Sequence, residues 1–281
     1  MSFGSRENSR SLGSPDTLYR FTVFTDVYAY TDAEEPITFN GISYMPLAID
    51  RDSVSTSGSL DKSQIKINVP HDCEVAELFR VFPPSEVVGV TIFQGHYGDP
   101  DSEFLAIYSG RVVSAPREGS EASLACEPIN TSMRRPGLRQ RYQYGCPHAL
   151  YGPQCRADRN QFTWTRQVIA ISGAQLTMEP GWENGSGQSA IKFIGGLFEF
   201  TRSGRSELRT ILRAYHLSQN ILLDGLPHEL QAGDYVKVSL GCNHKGINGG
   251  DCSVVFNNIN NFGGDPWIPL ENPIGFVNRF Y

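Results

Sequence analysis

The chain is 281 residues long with 40% hydrophobic and 19% charged content, enough to bury a sizeable core and to form two domains. Its formal charge of −6 excludes a general nucleic-acid binder, which needs a basic face to neutralise phosphates, though DNA can pass a mildly acidic wall without being held. It contains no apolar run long enough for a membrane-spanning helix, and its 28 Gly and 17 Pro favour strands and turns.

Residues 1–14, polar and rich in Ser and Gly with no apolar signal-peptide core, read as a mobile arm. A strand is expected from Leu18 (L-Y-R-F-T-V-F), then a turn over Thr31 to Pro36. I-T-F-N-G-I-S-Y follows as a hairpin, because Asn40 and Gly41 both tolerate the positive φ of a type I′ turn. Ile65, Ile67 and Val69 alternate with Lys66 and Asn68, the period of a half-buried strand. Cys73 to Phe82 reads as a helix capped by Asp72 and stopped by Pro83-Pro84. Further strands are expected from Val87, Phe104 and Ala122, which makes this part a small β-barrel or sandwich.

The join falls near Ser132 to Gln143, where Pro136-Gly137 breaks the pattern and Arg134, Arg135, Arg139 and Arg141 cluster. The expected division is an arm over 1–14, a β domain over 15–135 and a second β-rich domain over 136–281. The second has strands from Arg166, Ala174, Ile191, Leu208, Gln219 and Asp234.

Its cysteines arrive as two separated pairs. Cys146 and Cys155 sit in G-C-P-H-A-L-Y-G-P-Q-C, and Cys242 and Cys252 in G-C-N-H-K-G-I-N-G-G-D-C. Four thiolates are a soft-ligand set suited to zinc or an iron–sulfur cluster. The C-x8-C and C-x9-C loops are wider than the tight knuckles of structural zinc sites, and a cubane cluster spreads its ligands over a larger body. Free or disulfide-linked cysteines are the remaining readings. His148 and His244 stand beside the cysteines as further candidate ligands or as loop histidines bonded to backbone, and the arginine cluster as a counter-charge or a solvated run. Cys73 and Cys126 lie within apolar patterns and read as small buried hydrophobes.

The order of these segments resembles a known family. L-Y-R-F, I-T-F-N-G-I-S-Y-M-P, S-L-D-K-S-Q-I-K-I-N-V-P-H-D, C-E-V-A-E-L-F, Y-S-G-R-V-V, L-A-C-E-P, P-G-L-R-Q-R-Y-Q and C-P-H-A-L-Y-G-P-Q-C follow one another as in the tail-hub proteins of siphophages and gene transfer agents. The terminal C-x9-C-x3-F-x-N-x2-N-F-G-G-x-P resembles the end of the lambda-type minor tail protein L. The resemblance implies a structural protein, not an enzyme, at the distal tip of a long non-contractile tail, assembled in the bacterial host cytoplasm. It implies a homotrimer of β-barrel adaptors that joins the tail tube and the distal tail protein ring to the central tip and fibre proteins and to the C-terminus of the tape-measure protein. DNA would be present only in transit through the lumen, and no stable membrane insertion is implied. It further implies a 4Fe-4S cluster held by Cys146, Cys155, Cys242 and Cys252 and acting as a structural staple, with zinc as the alternative metal. The long stretch between Cys155 and Cys242 departs from the family and implies extra strands there.

Two other functions compete with this one. A zinc-stabilised receptor- or sugar-binding module would use contact loops around Trp164, Trp182 and Asp99, with Asp99, Asp101 and Glu103 as a possible cation site. A cysteine peptidase acting on peptidoglycan would pair Cys146 with His148, although two residues so close on a Pro-containing loop seldom reach the required geometry.

Overall fold

Side chains along a strand alternate between the two faces of a sheet, and burial along this chain follows that rule. Ile65, Ile67 and Val69 are buried while Lys66 is exposed, and Ala122, Leu124 and Cys126 are buried at every second position. The computed structural model describes residues 3–9, 13–54, 64–134, 137, 141–202, 204–215, 218–247 and 249–268, with no side chains described for 132–134. The chain divides into two units, 1–135 and 136–281.

The first unit is one sheet built from β1 (Pro15–Val23), β2 (Asp26–Thr31), β3 (Ile37–Phe39), β4 (Ile42–Pro46), β5 (Asp50–Arg51), β6 (Ile65–Pro70), β7 (Val88–His96), β8 (Leu105–Ser114), β9 (Arg117–Glu118) and β10 (Glu121–Pro128). The order is β3-β4-β2-β1-β7-β8-β10-β6-β5, with β9 paired to β10. Described residues on strands from both halves of this path, among them Tyr19, Phe21, Val90, Ile92, Ile67, Leu124 and Cys126, share one core. A smaller cluster of Leu18, Tyr44 and Phe93 is separate from it. The Asn40-Gly41 turn has φ of 51° and 76°, as the hairpin requires.

Several expectations change here. The pairing path of the first sheet is open among the described residues, with β3 and β5 at its ends, so the closed barrel belongs to the second unit. The strand β2 (D-V-Y-A-Y-T) was not anticipated, because the turn-forming Thr25-Asp26 hides its start and it follows β1 after only a two-residue turn. The expected helix from Cys73 shrinks to α2 (Glu74–Glu77), with Cys73 rather than Asp72 at its N-cap and no side-chain cap. Its job is to place Val75 and Ala76 in the core, and the chain then tightens into turns before Pro83. Residues 3–9 do not trail as an arm. They contain α1 (Phe3–Glu7), held by Glu7 on buried His96 at 2.9 Å and by Arg6 donating to Tyr97 O and Gly98 O at 2.6 Å each.

The second unit is a closed barrel of β11 (Thr163–Ser172), β12 (Gln175–Met178), β13 (Leu197–Arg202), β14 (Arg205–Ala214), β15 (Asn220–Leu223) and β16 (Tyr235–Ser239), ordered β11-β12-β15-β14-β13-β16. The whole barrel therefore lies in the long stretch between Cys155 and Cys242. The strand expected from Ile191 begins only at Leu197; a 3-10 turn over Ala190–Phe193 and Gly195 (φ 78°) precede it. Trp182, expected on a contact loop, is 1% exposed and packs on Phe193 at 4.7 Å inside the barrel, while Trp164 lies 6.0 Å from the same ring. Large indoles fill the barrel interior and gain more from burial there than from exposure.

Candidate metal centre

A barrel that closes on itself pairs its first strand with its last. Here β11 lies against β16 from Thr163↔Ser239 to Gln167↔Tyr235, so the chain entering the barrel meets the chain leaving it. The segment before β11 carries Cys146 and Cys155; the segment after β16 carries Cys242 and, in the first turn of α3 (Asp251–Val254), Cys252. Leu240 N donates to Phe162 O at 3.1 Å, Tyr151 Oη to Leu240 O at 2.8 Å, and Cys146 N to His244 O at 2.8 Å. Gly241 packs on the turn before β13: a Cβ there would stand 1.8 Å from Ile194 O. Phe256 closes the floor against Phe162 at 4.7 Å and Tyr151 at 6.1 Å.

All four cysteines line one small cavity of about 20 Å³, together with His148, Leu150, His244, Phe256, Asn258 and Asn261. None is in a disulfide. Three sulfurs accept N–H groups from nearby chain: Cys242 from His244 N at 3.3 Å, Cys146 from Gly263 N at 3.4 Å and Cys155 from Asn258 Nδ2 at 3.7 Å. Donors aimed at sulfur favour the thiolate, which is the ligating form. Cys252 instead donates to Asn258 O at 3.3 Å. Burial pushes the Cys242 thiol up to about 11, with Asp251, Cys252 and Cys155 adding repulsion, although the His244 N–H acts the other way. Cys252 is likewise raised, first by burial and then by Cys146 and Cys155. Thiols this close cannot all ionise alone, and a cation among them reverses that balance.

Among the described residues, no three His, Cys, Asp or Glu side chains converge tightly enough to hold a metal ion. The cysteines share a cavity without meeting at one point. The backbone around them is strained: Tyr151, Arg156, His244 and Asn257 are four of the nine described non-glycine residues with positive φ. Each such residue costs on the order of 1 kcal/mol, and such residues gather at functional sites. An ion pair of Lys192 with buried Asp251, whose other oxygen accepts Asn243 N at 2.8 Å, ties the second cysteine loop to the barrel.

Both histidines bond to backbone. His148 Nδ1 lies 3.1 Å from Asn261 O and His244 Nδ1 lies 3.0 Å from Cys146 O. The partner of His148 Nδ1 is thus Asn261 O, and that of Cys146 Sγ is Gly263 N. Of the arginines, Arg141 is exposed, whereas Arg135, Arg139 and the side chain of Arg134 lie outside the described residues. Asp99, Asp101 and Glu103 do not make a cation site: Asp99 is buried and accepts Asp101 N and Glu103 N at 3.3 Å each, while Glu103 accepts Phe3 N. Cys73 and Cys126 are buried in the first core, as their apolar settings require. Asn258, Asn261 and Gly263 fall on fixed positions of the terminal C-x9-C-x3-F-x-N-x2-N-F-G-G-x-P, although the sequence assigned them no role at the site.

Comparison with known proteins places these features in a family. Residues 16–158 match the family model described as baseplate hub protein, N-terminal attachment domain, and residues 192–272 match that of a phage conserved hypothetical protein. No curated protein matches the chain. Among solved structures, a chain from the virion of a native gene transfer agent particle shares the fold, with a TM-score of 0.78 at 19% identity over 95% of this chain and 92% of that one. The first family model spans half of the chain and reaches past Cys146 and Cys155. The chain belongs to the baseplate hub protein family, structural proteins of the virion tail.

Proposed function

We propose that this protein is a non-enzymatic hub at the distal tip of a long tail, and that a 4Fe-4S cluster held by Cys146, Cys155, Cys242 and Cys252 staples its second unit. In this reading a homotrimer continues the tail tube and joins the distal tail protein ring to the central tip proteins and the tape-measure protein, and DNA crosses its lumen. The family match supports the hub, and the resemblance of the ordered motifs supports these partners.

The observation that carries the cluster is the shared cavity, fed by one cysteine pair from each end of the barrel. Soft sulfur donors and N–H groups aimed at three of them suit a cationic centre. The wide C-x8-C and C-x9-C loops favour a cluster over a single ion, since structural zinc sites use tighter knuckles. The centre would supply a crosslink between segments that flank the barrel, which is how structural metals contribute folding free energy. The chain's own residues orient the sulfurs and exclude water through Leu150 and Phe256.

The test is an ultraviolet–visible spectrum with iron and sulfide analysis on protein purified without air. A broad shoulder near roughly 400 nm with about four irons per chain is expected. A colourless protein with one zinc would change the metal and keep the ligands; protein free of both metals after reconstitution would overturn the centre.

A further inference from the structure

Within the proposed site, one residue touches both cysteine loops. Asn258 lies on the segment that follows α3 and returns over the first cysteine pair. Its Nδ2 donates to Cys155 O at 2.6 Å and to Cys155 Sγ at 3.7 Å. Its backbone N donates to Cys252 O at 2.7 Å, and its backbone O accepts Cys252 Sγ at 3.3 Å. Its Oδ1 accepts Asn261 Nδ2 at 2.6 Å, and Asn261 O in turn receives His148. The amide side chain serves Cys155 and Asn261 with a donor and an acceptor from one rigid planar group, while the backbone of the same residue holds Cys252.

We infer that Asn258 is the positioning residue that fixes Cys155 of the first pair against Cys252 of the second. This rests on the reading of the four cysteines as one site, but the placement itself needs no metal. Cys146 and Cys242 take their donors elsewhere, from Gly263 N and His244 N. Loss of the Asn258 side chain therefore loosens one sulfur out of four, Cys155, while the backbone bonds to Cys252 stay, a selectivity that a general loss of structure would not produce.

The test uses the full chain as Asn258→Ala and as Asn258→Asp, which keeps the shape and the acceptor but removes the donor. In metal-free protein, iodoacetamide labelling mapped by mass spectrometry should speed up several-fold at Cys155 in the Ala variant. Cys146, Cys242 and Cys252, the last held by the backbone of residue 258, should keep their wild-type rates, and emission from buried Trp182 should be unchanged. After reconstitution with iron and sulfide, both variants should lose iron to a chelator roughly tenfold faster, the usual cost of removing an outer partner of a ligand. Unchanged labelling at Cys155 overturns the inference, and so does equal acceleration at all four cysteines, which marks a purely structural role. If Asn258→Ala does not fold, labelling and iron loss in Asn258→Asp decide in the same way. If wild-type protein takes up no metal, the proposed centre fails, and the labelling arm still decides the role of Asn258.

Discussion

Cysteine serves two purposes in this chain, one in each unit. Cys126 points into the first core, is 1% exposed, and donates to Leu124 O at 3.6 Å. It alternates with Ala122 and Leu124 on β10 and fills space as any small apolar side chain would. The four cysteines of the second unit sit on loops or a first helical turn, line a common cavity, and bond to N–H groups or a carbonyl from the chain around them. What separates the two uses is the neighbouring residues: period-two hydrophobes in one case, and Gly, Pro, Asn and His in the other.

The largest test of this contrast is substitution at each cysteine in turn. Serine at Cys146, Cys155, Cys242 or Cys252 should abolish stable iron binding, because a hard hydroxyl replaces a thiolate. Alanine at Cys73 or Cys126 should leave iron content unchanged and lower the stability of the first unit by about 1 kcal/mol, the value of one small buried group. Iron per chain and denaturant midpoints measure both. Iron retained at full stoichiometry in all four serine variants would erase the distinction between the two units.

A smaller effect is expected at Gly263, which presses on the site without being one of the cysteines. A Cβ there would stand 2.3 Å from His148 Nε2, and the Gly263 N–H is the donor to Cys146. Gly263→Ala must therefore displace the imidazole or withdraw the donor, at a cost of about 1–3 kcal/mol. It should lower the midpoint of the tryptophan-monitored transition and speed iron release. All three tryptophans, Trp164, Trp182 and Trp267, lie in the second unit, so that signal reports on it alone.

Most strands were legible because their signals are local. The Ile65 to Val69 alternation and the Asn40-Gly41 turn needed only neighbours in sequence to be read. Closure is not local. Nothing in T-W-T-R-Q says that it pairs with Y-V-K-V-S far along the chain, so the second unit was expected only as β-rich and its closure was not foreseen. The cysteine pairs were visible as residue types in suitable loops, but the strand pairing that brings them together was not. Ile191 to Phe193 misled because an apolar run fits a 3-10 turn as well as a strand, and only Gly195-Gly196, which allows close approach to Ser239 O, breaks the tie.

The mildest way to separate the two units is pH. Burial pushes the Cys126 thiol up to about 12, against about 8.5 for an unfolded thiol. The folded state thus holds the proton more tightly than the unfolded chain does. Its contribution to stability is complete below pH about 8.5 and is lost as pH rises toward the folded value, with a slope approaching about 1.4 kcal/mol per pH unit. Tyr19, raised to about 12 mainly by burial, adds the same trend only above the ordinary tyrosine range, near pH 10. Between pH about 8.5 and 10, then, the alkaline loss in the first unit should come chiefly from Cys126, and Cys126→Ala should flatten it. Urea unfolding followed by far-ultraviolet circular dichroism, with the tryptophan-reported second unit separated out, measures that slope. An equal slope in wild type and Cys126→Ala would show that this thiol is not held neutral by its core, and the contrast with the cavity cysteines would then rest on their hydrogen bonds alone.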